Sequence, residues 1–366
     1  MPDVPTDPAR LSVPPTRPHR TRHSDVAKRA GVSPATVSKV ITGRESDRIS
    51  EETRRRVLEV VRELNYVPQS AVREMQTGCT GRIGVLLTHP AAFGSMDPYH
   101  TAILGGILSA AFEHRRNTLL YTALEPREDT LRQELLGGGA DAVIAVGKVW
   151  TPLVESVVLQ ANLPVVYVSV LPPVNDTVRN VPYFAVDCDN EAGGRLAISH
   201  LTTLGHTRIG VVVVQPDAVS LPFVQERFVG ADAAAHEAGT TVTRIIGEAD
   251  LERVLQSVAA NAPDAPTALF FPEGEPFPAD LVAKLPGRGI RVPEDVSLVA
   301  FNSTTVCEYA AVPLTAVRQP FTQIGVTAVE IVVDYLNNGI TAANRLGTVV
   351  RLPVTLDIRA STAAPR

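Results

Sequence analysis

The chain is poor in the groups on which metal sites, disulfide scaffolds and nucleotide enzymes depend. Its three cysteines, Cys79, Cys188 and Cys307, stand far apart among 366 residues without a CxxC pair. That excludes a disulfide framework and a cysteine-ligated zinc site. Eight histidines show neither HExxH nor another ligand spacing, so no metal is expected. The glycines of "LLGGGADAVIAVG" precede a strand-like run and lack the GxGxxG order of a dinucleotide-binding turn, and "GCTGR" is not a phosphate loop. No cofactor and no catalytic residue are therefore expected. Long apolar runs are missing too. "IGVLL" and "RIGVVVV" fall far short of the roughly 18 residues that span a bilayer and read as buried strands.

The first 20 residues hold six prolines and nothing like the apolar core of an export signal. The expectation is a disordered arm over residues 1–21 and a cytoplasmic, nucleoid-associated protein. Composition is otherwise ordinary for a globular chain, 45% hydrophobic and 20% charged. The net charge of −5 hides an asymmetry: residues 1–82 carry 15 Lys and Arg against 10 Asp and Glu, leaving 19 against 29 for the remainder. A basic head on an acidic body suits a chain whose first part alone meets a polyanion, although a solvated basic face would read the same.

Within that head, "DVAKRA" puts Val26, Ala27 and Ala30 on one helical face, with Ser24 and Asp25 as caps and Gly31 permitting a sharp turn. Ser33 caps a second helix with Pro34 at its first position. Val37, Val40 and Ile41 turn inward, leaving Ala35, Ser38, Lys39 and Thr42 outside until Gly43 ends the helix. A third helix opens at Ser50, with Val57, Val61 and Leu64 inward and Arg54, Arg55 and Arg62 outward. A slim outer face carrying one cation suits a helix that enters a DNA major groove. A plain three-helix packing module would show the same spacing.

"DVAKRAGVSPATVSKVITG" followed by "ISEETRRRVLEVVRELNYVP" closely resembles the helix-turn-helix head of the lactose and purine repressor (LacI/GalR) family of bacterial regulators. The resemblance implies that Pro34, Ala35 and Lys39 read bases while Ser33, Thr36 and Ser38 hold phosphates. Two features depart from the family: His23 stands where an apolar residue is usual, and "GRESDRIS" is a longer loop. The resemblance also implies a hinge helix in "QSAVREMQTGCTGR", ordered on the operator, with Met75 as the minor-groove wedge and Arg73 beside it. Glu74 replaces a small polar residue there, and by composition alone "TGCTG" is a plain linker.

From Ile83, β-branched runs alternate with helical stretches in two successive series, which argues for two parallel-sheet lobes with a cleft between them. The landmarks "SHLTTLGHTRIG", "VPEDVSLVAF" and "PLTAVRQPFTQIGVTAVEIVVDYL" extend the family resemblance over essentially the whole chain. The implied fold is a small all-α helix-turn-helix head (22–68) joined by a hinge helix and linker (69–82) to a two-lobed, Rossmann-like α/β body (83–366) of the type I periplasmic-binding-protein kind. Its lobes would comprise about 83–182 plus 316–338 and about 183–315 plus 339–358, with crossings near Pro182, Thr315 and Gly339. Effector-binding positions carried over from the family are Asp97, Tyr99, His100 and Arg227, with Glu273 and Asn302 standing where the family has other polar residues and Leu221 replacing a polar one.

The function so implied is that of a sequence-specific transcriptional regulator, a repressor, that binds a palindromic double-stranded operator as a homodimer and answers to a small-molecule effector such as a sugar or related metabolite. "LDIRASTAAPR" lacks the heptad helix by which some relatives form tetramers. The alternative, a periplasmic-type sugar-binding protein with no DNA role, requires an export signal and no DNA head.

Overall fold

The computed structural model describes residues 21–41, 49–66, 78–87, 98–121, 128–147, 160–161, 163–169, 183–339 and 347–366. The chain divides into two compact units, Met1–Thr80 and Gly81–Arg366. In the first, three helices, α1 (His23–Ala30), α2 (Pro34–Ile41) and α3 (Glu51–Glu63), enclose a small core of Val26, Ala27, Ala30, Val37, Val40, Val57, Val60 and Tyr66. Two local expectations shift. Helix α1 begins at His23, so Ser24 and Asp25 lie within its first turn; the Arg22 N–H donates to the Asp25 carboxylate at 2.7 Å. On α3 the inward pair is Val57 and Val60, three residues apart, while Val61 and Leu64 are half-buried at the margin. Gly31 takes the left-handed conformation (φ 64°) that lets α1 end and the chain turn into α2.

The body contains two six-stranded sheets. The first joins β1 (Arg82–Leu87), β2 (Asn117–Tyr121), β3 (Ala142–Val146), β4 (Val165–Val168), β5 (Tyr183–Cys188) and β11 (Val349–Leu352), all parallel, in the order β11-β5-β4-β3-β1-β2. The second joins β6 (Arg208–Val213), β7 (Thr241–Ile246), β8 (Ala268–Phe271), β9 (Ser297–Phe301), β10 (Thr315–Arg318) and β12 (Thr355–Asp357), with only the β12 edge antiparallel. Strands β3, β4, β8 and β9 are buried throughout, as continuous apolar runs covered on both faces should be.

Helices are inserted between the strands. In chain order they are α4 (Pro98–Glu113), α5 (Glu128–Leu136), α6 (Asn190–Thr203), α7 (Pro222–Glu237), α8 (Glu248–Ala259), α9 (Pro276–Lys284), the short α10 (Thr305–Glu308) and α11 (Phe321–Asn338). The lobes repeat one packing device. A methyl on Gly106 or Gly325 would run into backbone where α4 meets α11, and one on Gly194 or Gly230 would do so where α6 meets α7. Only glycine lets these helix backbones touch.

The three crossings between sheets come later than expected. Strand β5 pairs with β4 in the first sheet, so the chain leaves it between Cys188 and Asn190 and not near Pro182. Strand β10 belongs wholly to the second sheet, which moves the second crossing from Thr315 to Gln319–Pro320. Strand β11 pairs with β5, so the last crossing falls at Pro353–Val354 and not at Gly339. In each case a strand completes its ladder before the chain departs, a pairing fact that apolar periodicity does not encode. Residues beyond 358 also stay with the second lobe: Ser361 exchanges bonds with Leu298, and the Ala363 carbonyl lies 2.9 Å from His206 Nε2.

Candidate DNA interface and interlobe cleft

Helix α2 buries Val37 and Val40 and turns Pro34, Ala35 and Lys39 to solvent, with Thr36 and Ser38 half-exposed. Ser33 caps the helix as expected, its hydroxyl accepting the Thr36 N–H at 3.1 Å. The same hydroxyl lies 2.9 Å from Thr36 Oγ1, so one of the two hydroxyl protons is spent between them. On α3, Arg55 and Arg62 are exposed and Arg54 is partly buried. Arg56 is used internally, its Nε donating to the Ala30 carbonyl at 3.0 Å and tying α3 to the end of α1. His23 spans Tyr66 Oη at 3.1 Å and the Pro34 carbonyl at 2.9 Å. Arg73, Met75 and Asp97 lie outside the described residues.

In the body, Arg227 projects from α7 at the close contact with Gly194 and is 4% exposed. Its Nε donates to Asn190 Oδ1 at 2.9 Å and its Nη1 to the Pro272 carbonyl. The guanidinium lies over Phe301, 3.5 Å from the ring centroid, with Phe223 at 4.7 Å. Asn190 donates in turn to Asp187 at 2.9 Å and Glu226 at 3.1 Å. Burial lowers the Arg227 pKa, opposed by Cys188 and Asp187; burial also raises Asp187, opposed first by Arg227, and pushes the Cys188 thiol up to about 12. Cys188 is thus an inert thiol. Arg351 of β11 grips both Glu226 oxygens of α7, at 2.7 and 2.5 Å, an ion pair between the first-sheet lobe and the second.

The other carried-over positions are also engaged by protein. Tyr99, at the start of α4, packs edge-on against Phe321 at 5.3 Å and His100 at 4.8 Å; burial raises its phenol above the ordinary range. Glu273 accepts the backbone N–H of Val214 and Gln215 and so holds the turn after β6; burial raises its pKa, opposed by those two bonds. Asn302 adopts φ 86°, a conformation asparagine tolerates better than most residues, and accepts from Gln319 Nε2 at 2.6 Å.

A cavity of about 510 Å³ is lined by Pro98 and Ala102 of α4, by Ser303 to Thr305, and by Glu308, Arg318, Gln319 and the first turn of α11. None of Tyr99, His100, Arg227, Glu273 and Asn302 lines it; Pro98 beside Tyr99, Ser303 beside Asn302 and the Asn302 partner Gln319 do. The segment "VRQPF", quoted above only as a landmark, was the available pointer to Arg318 and Gln319. Among the described residues no group of three or more His, Cys, Asp or Glu could hold a metal, and no helix is long and apolar enough to cross a membrane.

Residues 24–69 match the family model for bacterial regulatory proteins of the lacI family, and residues 198–362 match the periplasmic binding protein-like domain. Over 324 residues the chain is 31% identical to the HTH-type transcriptional repressor PurR of Aliivibrio salmonicida, spanning 86% of this chain and 92% of that one. The chain belongs to the lacI family. It is 30% identical over 328 residues to the HTH-type transcriptional regulator CelR of Thermobifida fusca, covering 88% of this chain and 93% of that protein. Among solved structures it is similar to a transcriptional regulator CelR–cellobiose complex, at 27% identity and a TM-score of 0.61 over 93% of this chain and all of the other. It shares the fold of the lac repressor dimer bound to operator and the anti-inducer ONPF, at 22% identity and a TM-score of 0.72 over 94% of this chain. As a lacI-family member the protein is a DNA-binding transcriptional regulator and not an enzyme. Its helix-turn-helix head removes the alternative of a periplasmic sugar-binding protein without a DNA role.

Proposed function

We propose that the protein is a repressor that binds a palindromic operator as a homodimer, reads the major groove with Pro34, Ala35 and Lys39, and is modulated by a small polar effector in the interlobe cleft. The observation that carries this reading is the lean, solvent-facing stripe of α2 on a folded three-helix head. Two-fold symmetry of the protein would mirror that of the operator. The division into arm (1–21), head (22–68), hinge (69–82) and body (83–366) goes with this reading, as do nucleoid association and the minor-groove roles of Arg73 and Met75.

The effector we infer is a sugar-sized metabolite, since the cavity of about 510 Å³ has Ser, Thr and Gln side chains alongside apolar ones in its lining and a CelR structure is a cellobiose complex. An effector that fits the two lobe arrangements unequally would change operator affinity by that difference. The test is selection of bound sequences from random DNA, repeated with cellobiose, ribose and purine bases. A palindromic consensus whose recovery changes with one of these is expected. Recovery of no sequence in preference to scrambled competitor refutes the reading. Met75→Ala should weaken binding to the selected site at least several-fold and reduce DNA bending; unchanged bending would remove the wedge role.

A further inference from the structure

The imidazole of His23 occupies a corner where three parts of the head meet. It is the first residue of α1. Its Nε2 lies 2.9 Å from the carbonyl oxygen of Pro34, the first residue of α2, and its Nδ1 lies 3.1 Å from the hydroxyl of Tyr66, which follows α3. A carbonyl oxygen can only accept, so Nε2 is the donor to Pro34, and Nδ1 and the Tyr66 hydroxyl share the second bond. Tyr66 is 6% exposed and meets the ring edge-on, with centroids 5.8 Å apart and planes at 66°. The ring is therefore held by two directional bonds and one aromatic contact. A rigid clamp from α1 then reaches the backbone of the first turn of α2, immediately before the exposed Ala35.

The local cap from Ser33 fixes how α2 begins, but it lies in the same segment and cannot fix where that beginning sits relative to α1 and α3. The bond from His23, by contrast, reaches the α2 backbone from another helix. We propose that His23 is a positioning residue for base reading: it sets the position and pitch of the first turn of α2, and so which base edges Pro34 and Ala35 can approach. The inference rests on the reading of α2 as the base-reading helix.

The experiment uses the full-length chain and compares His23→Leu, His23→Gln and Tyr66→Phe with the parent. Glutamine supplies N–H donors and an acceptor oxygen from a single amide and can serve both partners, whereas leucine supplies neither. Each protein is taken through selection from random DNA, and its affinity for the parent's preferred site and for single-base variants of that site is measured. His23→Leu should lose discrimination roughly five- to tenfold at the base pairs under the first turn of α2, the scale of one lost hydrogen bond. Its non-specific affinity and salt slope, which report phosphate contacts, should stay at parental values. His23→Gln should recover most of the discrimination, and Tyr66→Phe should fall between.

A parental preference profile in His23→Leu overturns the proposal. So does an equal loss of specific and non-specific binding in both His23→Leu and His23→Gln, since that signals only a failed fold. Lys39→Ala separates this failure from failure of the underlying reading. If Lys39→Ala shifts the profile while His23→Leu does not, α2 reads DNA without the clamp; if neither shifts it, α2 is not the reader.

Discussion

Arg227 looks by resemblance like a ligand-gripping arginine, yet its geometry predicts a stability phenotype that would precede any effect on effector. Consider Arg227→Met, which keeps an apolar stem against Phe301 while deleting the guanidinium. Two hydrogen bonds from a charged donor disappear, to Asn190 Oδ1 and the Pro272 carbonyl. Asp187 also loses the cation that opposes its burial most strongly. Hydrogen bonds to charged groups contribute about 1.5 to 3 kcal/mol each, partly offset because a buried guanidinium no longer needs desolvating. The net loss should be roughly 2 to 4 kcal/mol, a large share of the 5 to 15 kcal/mol typical of folded chains. With a urea slope of about 3 kcal/mol per molar, the unfolding midpoint should fall by about 1 M. The chain's single tryptophan, Trp150, lies in the body segment of the sequence and supplies the fluorescence signal. An unchanged midpoint together with a lost effector response would show that the guanidinium works toward ligand and not toward Asn190 and Pro272.

Three further outcomes follow from named groups. Lys39→Ala should cost roughly 1 to 3 kcal/mol at the preferred operator and relax selection at one base pair per half-site, whereas a uniform loss on every sequence would make Lys39 a phosphate anchor. Burial holds His200 and His206 below the ordinary imidazole range, so the folded body resists their protonation. Its stability should be complete above about pH 6.5, fall as pH drops from there toward the lower folded-state values, and level off below them. The raised carboxyls of Asp187 and Glu273 act in the opposite sense, so the assignment is checked by melts of His206→Gln, which should lose less stability between about pH 7 and 5 than the parent. Glu226→Gln and Arg351→Gln should each shift operator affinity or effector response, and the double variant should resemble either single one because the two groups meet in one bidentate pair. Additive effects would mean that the pair does not bias the lobes.

The head was the more legible part of the sequence, for a physical reason. A three-helix unit is specified by contacts at helical spacing and by its caps. Val26, Ala27 and Ala30, the Ser33 and Ser50 caps and the Gly31 turn could all be placed from local pattern. The error on α3, Val61 for Val60, came from an ambiguous run of apolar neighbours in which spacings of three and four both fit. His23 was visible only as a departure from the family pattern. Its partners lie 11 and 43 residues away in sequence, and no local periodicity points to them.

In the body, the alternation of strand and helix disclosed two lobes, but it could not disclose which sheet each crossing strand joins. That choice is made by hydrogen-bond partners far along the chain, as when β11 pairs with β5. The same limit governs the cleft. Position-by-position resemblance finds the residue types that face a ligand in relatives, yet whether a polar group stays available depends on what else this chain offers it. Here Arg227 is taken by Asn190 and Pro272, Asn302 by Gln319, and Glu273 by two backbone amides. An effector entering the 510 Å³ cavity would meet the hydroxyl, amide and charged groups that line it. To engage the carried-over set it would first have to displace bonds those residues already make within the protein. Because Thr304, Arg318 and Gln323 line that cavity and Arg227 does not, effector specificity in this chain should follow substitutions at the first three more closely than substitutions at Arg227.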